Sequence, residues 1–179
     1  MKKKTDFYKK EIQIPNAVGF CKNCFRERRH GSAYCGKCQN EGERMKVYWS
    51  NTINFPLLNE VIKKFELNAD DLNNLIFTYG DTFFSRNELS YGLIAHEITH
   101  TFQQMKTSPE EWWKKYLKDE KFRLSQEVEA YRQQYKVYKM NDDVIPEVML
   151  DKMAQDLSGK IYGNLLSFEE AKKIISIDK

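Results

Sequence analysis

Residues 93–102 read "LIAHEITHTF" and set two of the chain's three histidines four residues apart, with a glutamate directly after the first. Residues four apart on an α-helix lie on one face, one turn from each other, so His96 and His100 can present ring nitrogens to a single cation while Glu97 stands beside it. Ile94, Ala95, Ile98, Phe102 and Met105 gather into a stripe whose centre lies roughly 170° from the histidines at 100° per residue. The expected helix is therefore buried on one side and lines a cleft on the other. The H-E-x-x-H pattern makes His96 and His100 the expected Zn²⁺ ligands. It makes Glu97 the general base that takes a proton from zinc-acidified water and passes it to the leaving group. An amphipathic helix carrying two solvated histidines is the plain alternative.

A catalytic zinc site keeps three protein ligands and one open position, so a third donor is required. The remaining histidine, His30, sits among cysteines, which leaves a carboxylate. "RLSQEVEAYRQQY", residues 123–135, offers Glu127 and Glu129. Leu124, Val128, Tyr131, Tyr135 and Tyr138 recur at steps of three and four and define the expected inward face. Glu127 lies about 60° from the centre of that stripe and Glu129 about 140°. Glu127 is accordingly the expected ligand, with Glu129 as the alternative and otherwise a solvated charge.

Around these two helices the pattern is mostly helical. "PLLNEVIKKFEL" (56–67) reads as a helix with Pro56 in its first turn. "LIFTYGDTFFS" (75–85) reads as two short strands around the Gly80-Asp81 turn. Ser85, three residues before Glu88, suits a capping box that opens a helix running to Met105. Further helices are expected from Ser108-Pro109, from Phe122 to Met140, after Pro146, and after Ser167 with Glu170 three residues on.

"CKNCFRERRHGSAYCGKC" (21–38) holds Cys21-x-x-Cys24 and Cys35-x-x-Cys38, two knuckles that together supply four thiolates to one tetrahedral Zn²⁺. Four sulfurs leave no open position, so this site is expected to be structural. Residues 1–47 carry 12 basic and 5 acidic side chains, against 17 and 21 in the remainder. The division expected is a four-cysteine zinc module at 1–47 and a second domain at 48–179. Lys22, Arg26, Arg28, Arg29 and Lys37, with Phe25 and Tyr34 nearby, give the module the chemistry to hold phosphates or stack on bases, so nucleic acid is a possible partner. No apolar run approaches eighteen residues, and the basic start is not followed by a secretory apolar stretch; the expectation is a soluble cytoplasmic protein with no membrane partner.

"HEITH" followed by "EVEAY" resembles the gluzincin class of zinc metallopeptidases, and also small H-E-x-x-H proteins encoded by phages and related mobile elements. The similarity spans roughly residues 75–163. It implies an α+β, mostly helical zincin-like domain with a small early sheet, His96, His100 and Glu127 as ligands of a catalytic Zn²⁺, and Glu97 as base. It further implies an edge strand near Gly80 that pairs with a peptide substrate. In many gluzincins an Asp orients a ligating histidine from the place that Tyr131 occupies here; Tyr131 either packs in the core, the favoured reading, or fills that task with its phenol oxygen, and Asp156 is the candidate substitute. Tyr162 is the candidate oxyanion donor. The function expected is zinc-dependent endopeptidase hydrolysis of a protein or peptide substrate. The alternative is a nucleic-acid- or protein-binding phage or mobile-element factor that uses the four-cysteine module and keeps the zincin domain as inactive scaffold.

Overall fold

The computed structural model describes residues 10–12, 21, 46–140 and 145–177. Cys24, Cys35 and Cys38, and the basic and aromatic residues between Lys22 and Lys37, lie outside the described residues; Cys21 is buried. The elements in chain order are β1 (Lys10–Glu11), β2 (Tyr48–Ser50), α1 (Leu58–Phe65), α2 (Asp71–Asn74), β3 (Phe77–Tyr79), β4 (Thr82–Phe84), α3 (Tyr91–Met105), α4 (Pro109–Lys118), α5 (Glu120–Lys139), α6 (Pro146–Leu157) and α7 (Phe168–Ser176). The described chain is thus mostly helical with one small sheet, an α+β arrangement. No helix among the described residues is long and apolar enough to cross a membrane.

The sheet runs β1-β2-β4-β3. β3 and β4 form the antiparallel hairpin, with Gly80 at φ +61, a left-handed conformation that glycine adopts without a Cβ penalty. β2 lies parallel to β4 in the register Trp49↔Phe83, and β1 pairs antiparallel with β2 through Lys10↔Trp49. Ile12 continues that pairing, its N–H donating to the Val47 carbonyl at 2.8 Å. Residues 10–12 precede the cysteine segment and yet belong to the sheet of the domain that follows it.

One face of the sheet packs on α3. Phe83, Val47, Ile94, Ala95 and Ile98 form that interface with Val137 of α5. A second cluster, of Phe55, Val61, Phe77, Phe84, Trp112, Trp113 and Tyr116, joins α1 and α4 to the hairpin, and Phe55 stacks on Phe77 with centroids 4.6 Å apart. A third holds α5 against α6 and α7 through Val128, Tyr131, Tyr138, Leu150, Met153 and Leu157. Each fully buried side chain of this size contributes about 1.5–3 kcal/mol by leaving water.

The helix starts follow capping chemistry. Ser108 accepts from the Glu111 N–H at 3.1 Å, Asp119 caps α5 through Phe122 N–H at 2.9 Å, and Ser167 and Glu170 complete a capping box on α7. At α3 the expectation fails. Ser85 is still tied to the sheet, its N–H donating to the Ser50 carbonyl at 3.0 Å, and its hydroxyl closes a turn onto Asn87. Ser90 is the cap instead, and α3 begins at Tyr91. Met105, assigned to the buried stripe, is 61% exposed.

Candidate metal centre

Both faces of α3 are buried. Its apolar stripe meets the sheet, and the opposite face meets α5 while His96 and Glu97 on it also line a cleft, as expected. Helix α5 is likewise sandwiched: Val128, Tyr131 and Tyr138 face α6 and α7, while Glu127, Ala130, Gln134 and Val137 are buried along its other side. Glu127 therefore belongs to a second buried face of α5 rather than to the edge of the first.

His96, His100 and Glu127 converge between the two helices, with one ligand atom from each lying within 4.8 Å of the others. His96 Nε2 is 3.3 Å from Glu127 Oε2, and His100 Nε2 is 3.3 Å from Glu127 Oε1. These separations exceed ordinary hydrogen-bond lengths. Zinc bonds of about 2.0–2.2 Å in tetrahedral geometry place donor atoms roughly 3.3–3.4 Å apart, so each nitrogen–oxygen separation matches such an ion, one to each carboxylate oxygen, and two imidazoles plus a carboxylate are a donor set that zinc accepts.

The non-converging nitrogens are both occupied. His96 Nδ1 contacts Gln134 Oε1 at 2.9 Å, and His100 Nδ1 contacts Gln103 Oε1 at 2.8 Å. Nδ1–H donation to each amide oxygen leaves both Nε2 lone pairs directed at the shared point. Tyr116 O–H donates to Glu127 Oε1 at 2.8 Å and so fixes the carboxylate. Burial raises the Glu127 carboxyl pKa, but the charges of His100 and His96 beside it and the Tyr116 hydroxyl outweigh it and bring the value to about 2. On His96, burial disfavours the cation, yet the Glu127 carboxylate and, further off, Glu97 prevail and raise the pKa.

Glu97 is 3% exposed and receives the Thr78 hydroxyl at 2.6 Å. Thr78 is itself held rigidly: its carbonyl accepts from Trp113 Nε1 and Gln104 Nε2, both at 2.8 Å. A cavity of about 60 Å³ over the cluster is lined by His96, Glu97, His100 and Glu127 together with Phe77, Trp112 and Tyr162. A cleft of about 500 Å³ shares His96, Glu97 and Tyr162 with it, and has Leu75 and Ile76 on one wall and Asp156 and Ile161 on the other.

The remaining expectations divide. Tyr162 lines both spaces, half-buried; burial pushes its phenol well above the ordinary range, and its hydroxyl is hydrogen-bonded with that of Tyr131. Tyr131 packs edge-on against the His96 ring, centroids 4.6 Å apart, and does not orient it through Nδ1. Asp156 is exposed at the cleft wall, its pKa raised by partial burial; Gln134 takes the place assigned to either residue. Glu129 lies outside the cluster of His96, His100 and Glu127 and accepts from Gln103 Nε2 at 3.0 Å. β3 is an edge strand, but near Gly80 its outward groups are used, since Gln104 accepts from Gly80 N–H at 2.7 Å and donates to the Thr78 carbonyl. Thr78, Gln103, Tyr116 and Gln134 escaped the sequence reading. For Gln103 and Gln134 the one legible signal is a polar side chain at helical steps from His100 and Glu127, at positions where a surface helix would show the same letters; Thr78 and Tyr116 lie on other elements and carry none. No family model matches the sequence, and no curated protein or solved structure gives a match to it.

Proposed function

We propose that the chain is a zinc-dependent peptidase of the gluzincin kind, acting on a protein or peptide substrate. The observation that carries this reading is the convergence of two Nε2 atoms and one carboxylate at 3.3 Å spacings, with a second carboxylate, Glu97, fixed at the wall of the same cavity. His96, His100 and Glu127 would hold the ion. When bound, it supplies Lewis acidity toward a carbonyl oxygen and lowers the pKa of a water in its open position.

The chain's own residues supply the rest. Glu97 accepts the proton of the attacking water and delivers it to the departing amine, and Thr78 keeps the carboxylate aimed by occupying one oxygen and leaving the other free. Tyr162 retains its proton, and from the rim it can donate to a developing oxyanion once it leaves Tyr131. Trp112, Phe77 and Tyr116 exclude bulk water from the cavity floor. The Leu75–Ile76 wall, just before edge strand β3, is where an extended substrate chain would lie.

The test is metal content and hydrolysis measured on the same purified protein, with a mixed peptide library read by mass spectrometry. Wild type is expected to bind zinc and cleave. Glu97→Gln should keep its zinc and cleave at least about 100-fold more slowly, a loss at the lower end of what a general base supplies. His96→Ala and Glu127→Ala should lose both. Unchanged cleavage by Glu97→Gln overturns the proposal.

A further inference from the structure

Gln103 is 2% exposed, and its amide group has three partners. The nitrogen donates to the Gln126 carbonyl and to Glu129 Oε2, each at 3.0 Å, while the oxygen faces His100 Nδ1 at 2.8 Å. A backbone carbonyl has no proton to give and a carboxylate is an acceptor, so both partners of the nitrogen require the –NH₂ end. That fixes the amide's orientation. The oxygen must then meet His100, and the imidazole must carry its proton on Nδ1.

The other histidine lacks this constraint. Among the described residues Gln134 Nε2 meets only the Tyr138 hydroxyl at 3.3 Å, and that hydroxyl, 3.3 Å from Ser90 Oγ, can donate or accept. The polarity of the His96 arm is therefore set by its own ring, whereas that of the His100 arm is imposed from outside, by the Gln126 carbonyl and a carboxylate at the protein surface.

We propose that Glu129 is a positioning residue: acting through Gln103, it locks His100 in the Nδ1–H tautomer and so presents Nε2 as a metal donor. The inference rests on the proposed metal site for its purpose, though not for its geometry. It also accounts for an otherwise ordinary surface glutamate two residues from a buried one. A neutral amide between carboxylate and imidazole passes on orientation without placing a second full charge beside the ring, where Glu127 already stands.

Two readouts on the full chain test this. The first is ¹⁵N-histidine NMR at pH 8, recorded before and after addition of Zn²⁺. Wild-type His100 is expected as a single Nδ1–H tautomer in both. Glu129→Ala leaves the Gln126 carbonyl alone to hold the –NH₂ end, so a fraction of the Gln103 amides should turn over and mix the tautomers before zinc is added. The second is zinc affinity by competition with a chromophoric chelator. Glu129→Ala should weaken binding by about 10-fold, the lower end of what outer-shell substitutions cost. Glu129→Gln, whose amide oxygen still accepts, should stay within about three-fold of wild type on the same scale. Gln103→Glu should weaken binding by setting two carboxylates together, and Gln103→Glu with Glu129→Gln should restore it by reversing the polarity of the pair. An Nδ1–H tautomer that persists unmixed in Glu129→Ala overturns the inference. A wild-type protein that binds no zinc at His96, His100 and Glu127 overturns the metal reading instead, and the NMR comparison still decides the role of Glu129.

Discussion

Replacing Glu127 by Gln removes the charge on which the buried cluster converges while keeping its shape, and the consequence is calculable for the metal-free protein. The carboxyl is held at about 2 against an ordinary 4.5. Each tenfold change in proton affinity is worth about 1.4 kcal/mol, so the folded state gains on the order of 3 kcal/mol from keeping this group ionised. The direction follows from the depressed value. Below pH 4.5 the unfolded chain takes up the proton before the folded one does, so the contribution is whole above 4.5 and is lost as pH falls toward 2. By pH 3 about 2 kcal/mol of it should be gone. The assay is urea unfolding with EDTA present, at pH 6 and pH 3, on wild type and Glu127→Gln. Other carboxylates titrate equally in both proteins, so wild type should lose about 2 kcal/mol more than the variant between the two pH values, with unchanged m-values. Parallel losses, agreeing within about 0.5 kcal/mol, would refute the picture of a carboxylate held down by two imidazoles and a phenol.

His96 gives the opposite sign. Its raised pKa contributes stability below 6.5 that is lost as pH climbs through the folded value. Zinc requires the neutral ring, so the rise in melting temperature produced by zinc should grow across that same window; at 100-fold excess over Kd it corresponds to about 2.7 kcal/mol. Differential scanning fluorimetry with and without zinc from pH 6 to 8.5 reads it. Thr78→Val, which removes the 2.6 Å bond to Glu97, should slow peptide hydrolysis about 10- to 100-fold at unchanged zinc content, the equivalent of one hydrogen bond to a charged group. Gly92→Ala should destabilise by about 1–3 kcal/mol through overpacking, because a methyl group there runs into the Tyr138 ring, lying 2.8 Å from its hydroxyl oxygen. Displacing that hydroxyl also deprives Gln134 of its partner, so zinc affinity should fall with stability in the same variant.

The elements that could be read from sequence are those whose local chemistry is self-sufficient: Gly80 in its turn, Ser108, Ser167 and Glu170 at helix starts, and Pro109 and Pro146 in first turns. The histidine pair was legible for the same reason, since i and i+4 need only one helix. Strands β1 and β2 were missed because two- and three-residue strands carry no alternation; only pairing across the sheet makes Lys10–Glu11 a strand. The start of α3 was misplaced because Ser85 and Ser90 both suit a cap, and a long-range bond to Ser50 decides between them. The wheel of α5 found one buried face and not the second. Glu127 reads as the edge of the first face, and Gln134 and Ala130 fall outside its stripe; all three are interior because α3 lies over them. Partners such as Thr78 with Glu97, or Tyr116 with Glu127, depend on tertiary approach and leave no periodic trace.

Antiparallel neighbours β1 and β2 are joined through the cysteine-bearing stretch, and Ile12 and Val47 are clasped to each other at the point where the chain departs and returns. Topologically, that stretch occupies the position of a hairpin loop. Closing such a loop costs entropy that grows only logarithmically with its length, so the sheet can carry an excursion of this size and could carry a short turn instead. Swapping residues 13–46 for a tight turn is thus the natural way to ask what that stretch contributes, buried Cys21 included, while β1 and β2 keep their pairing.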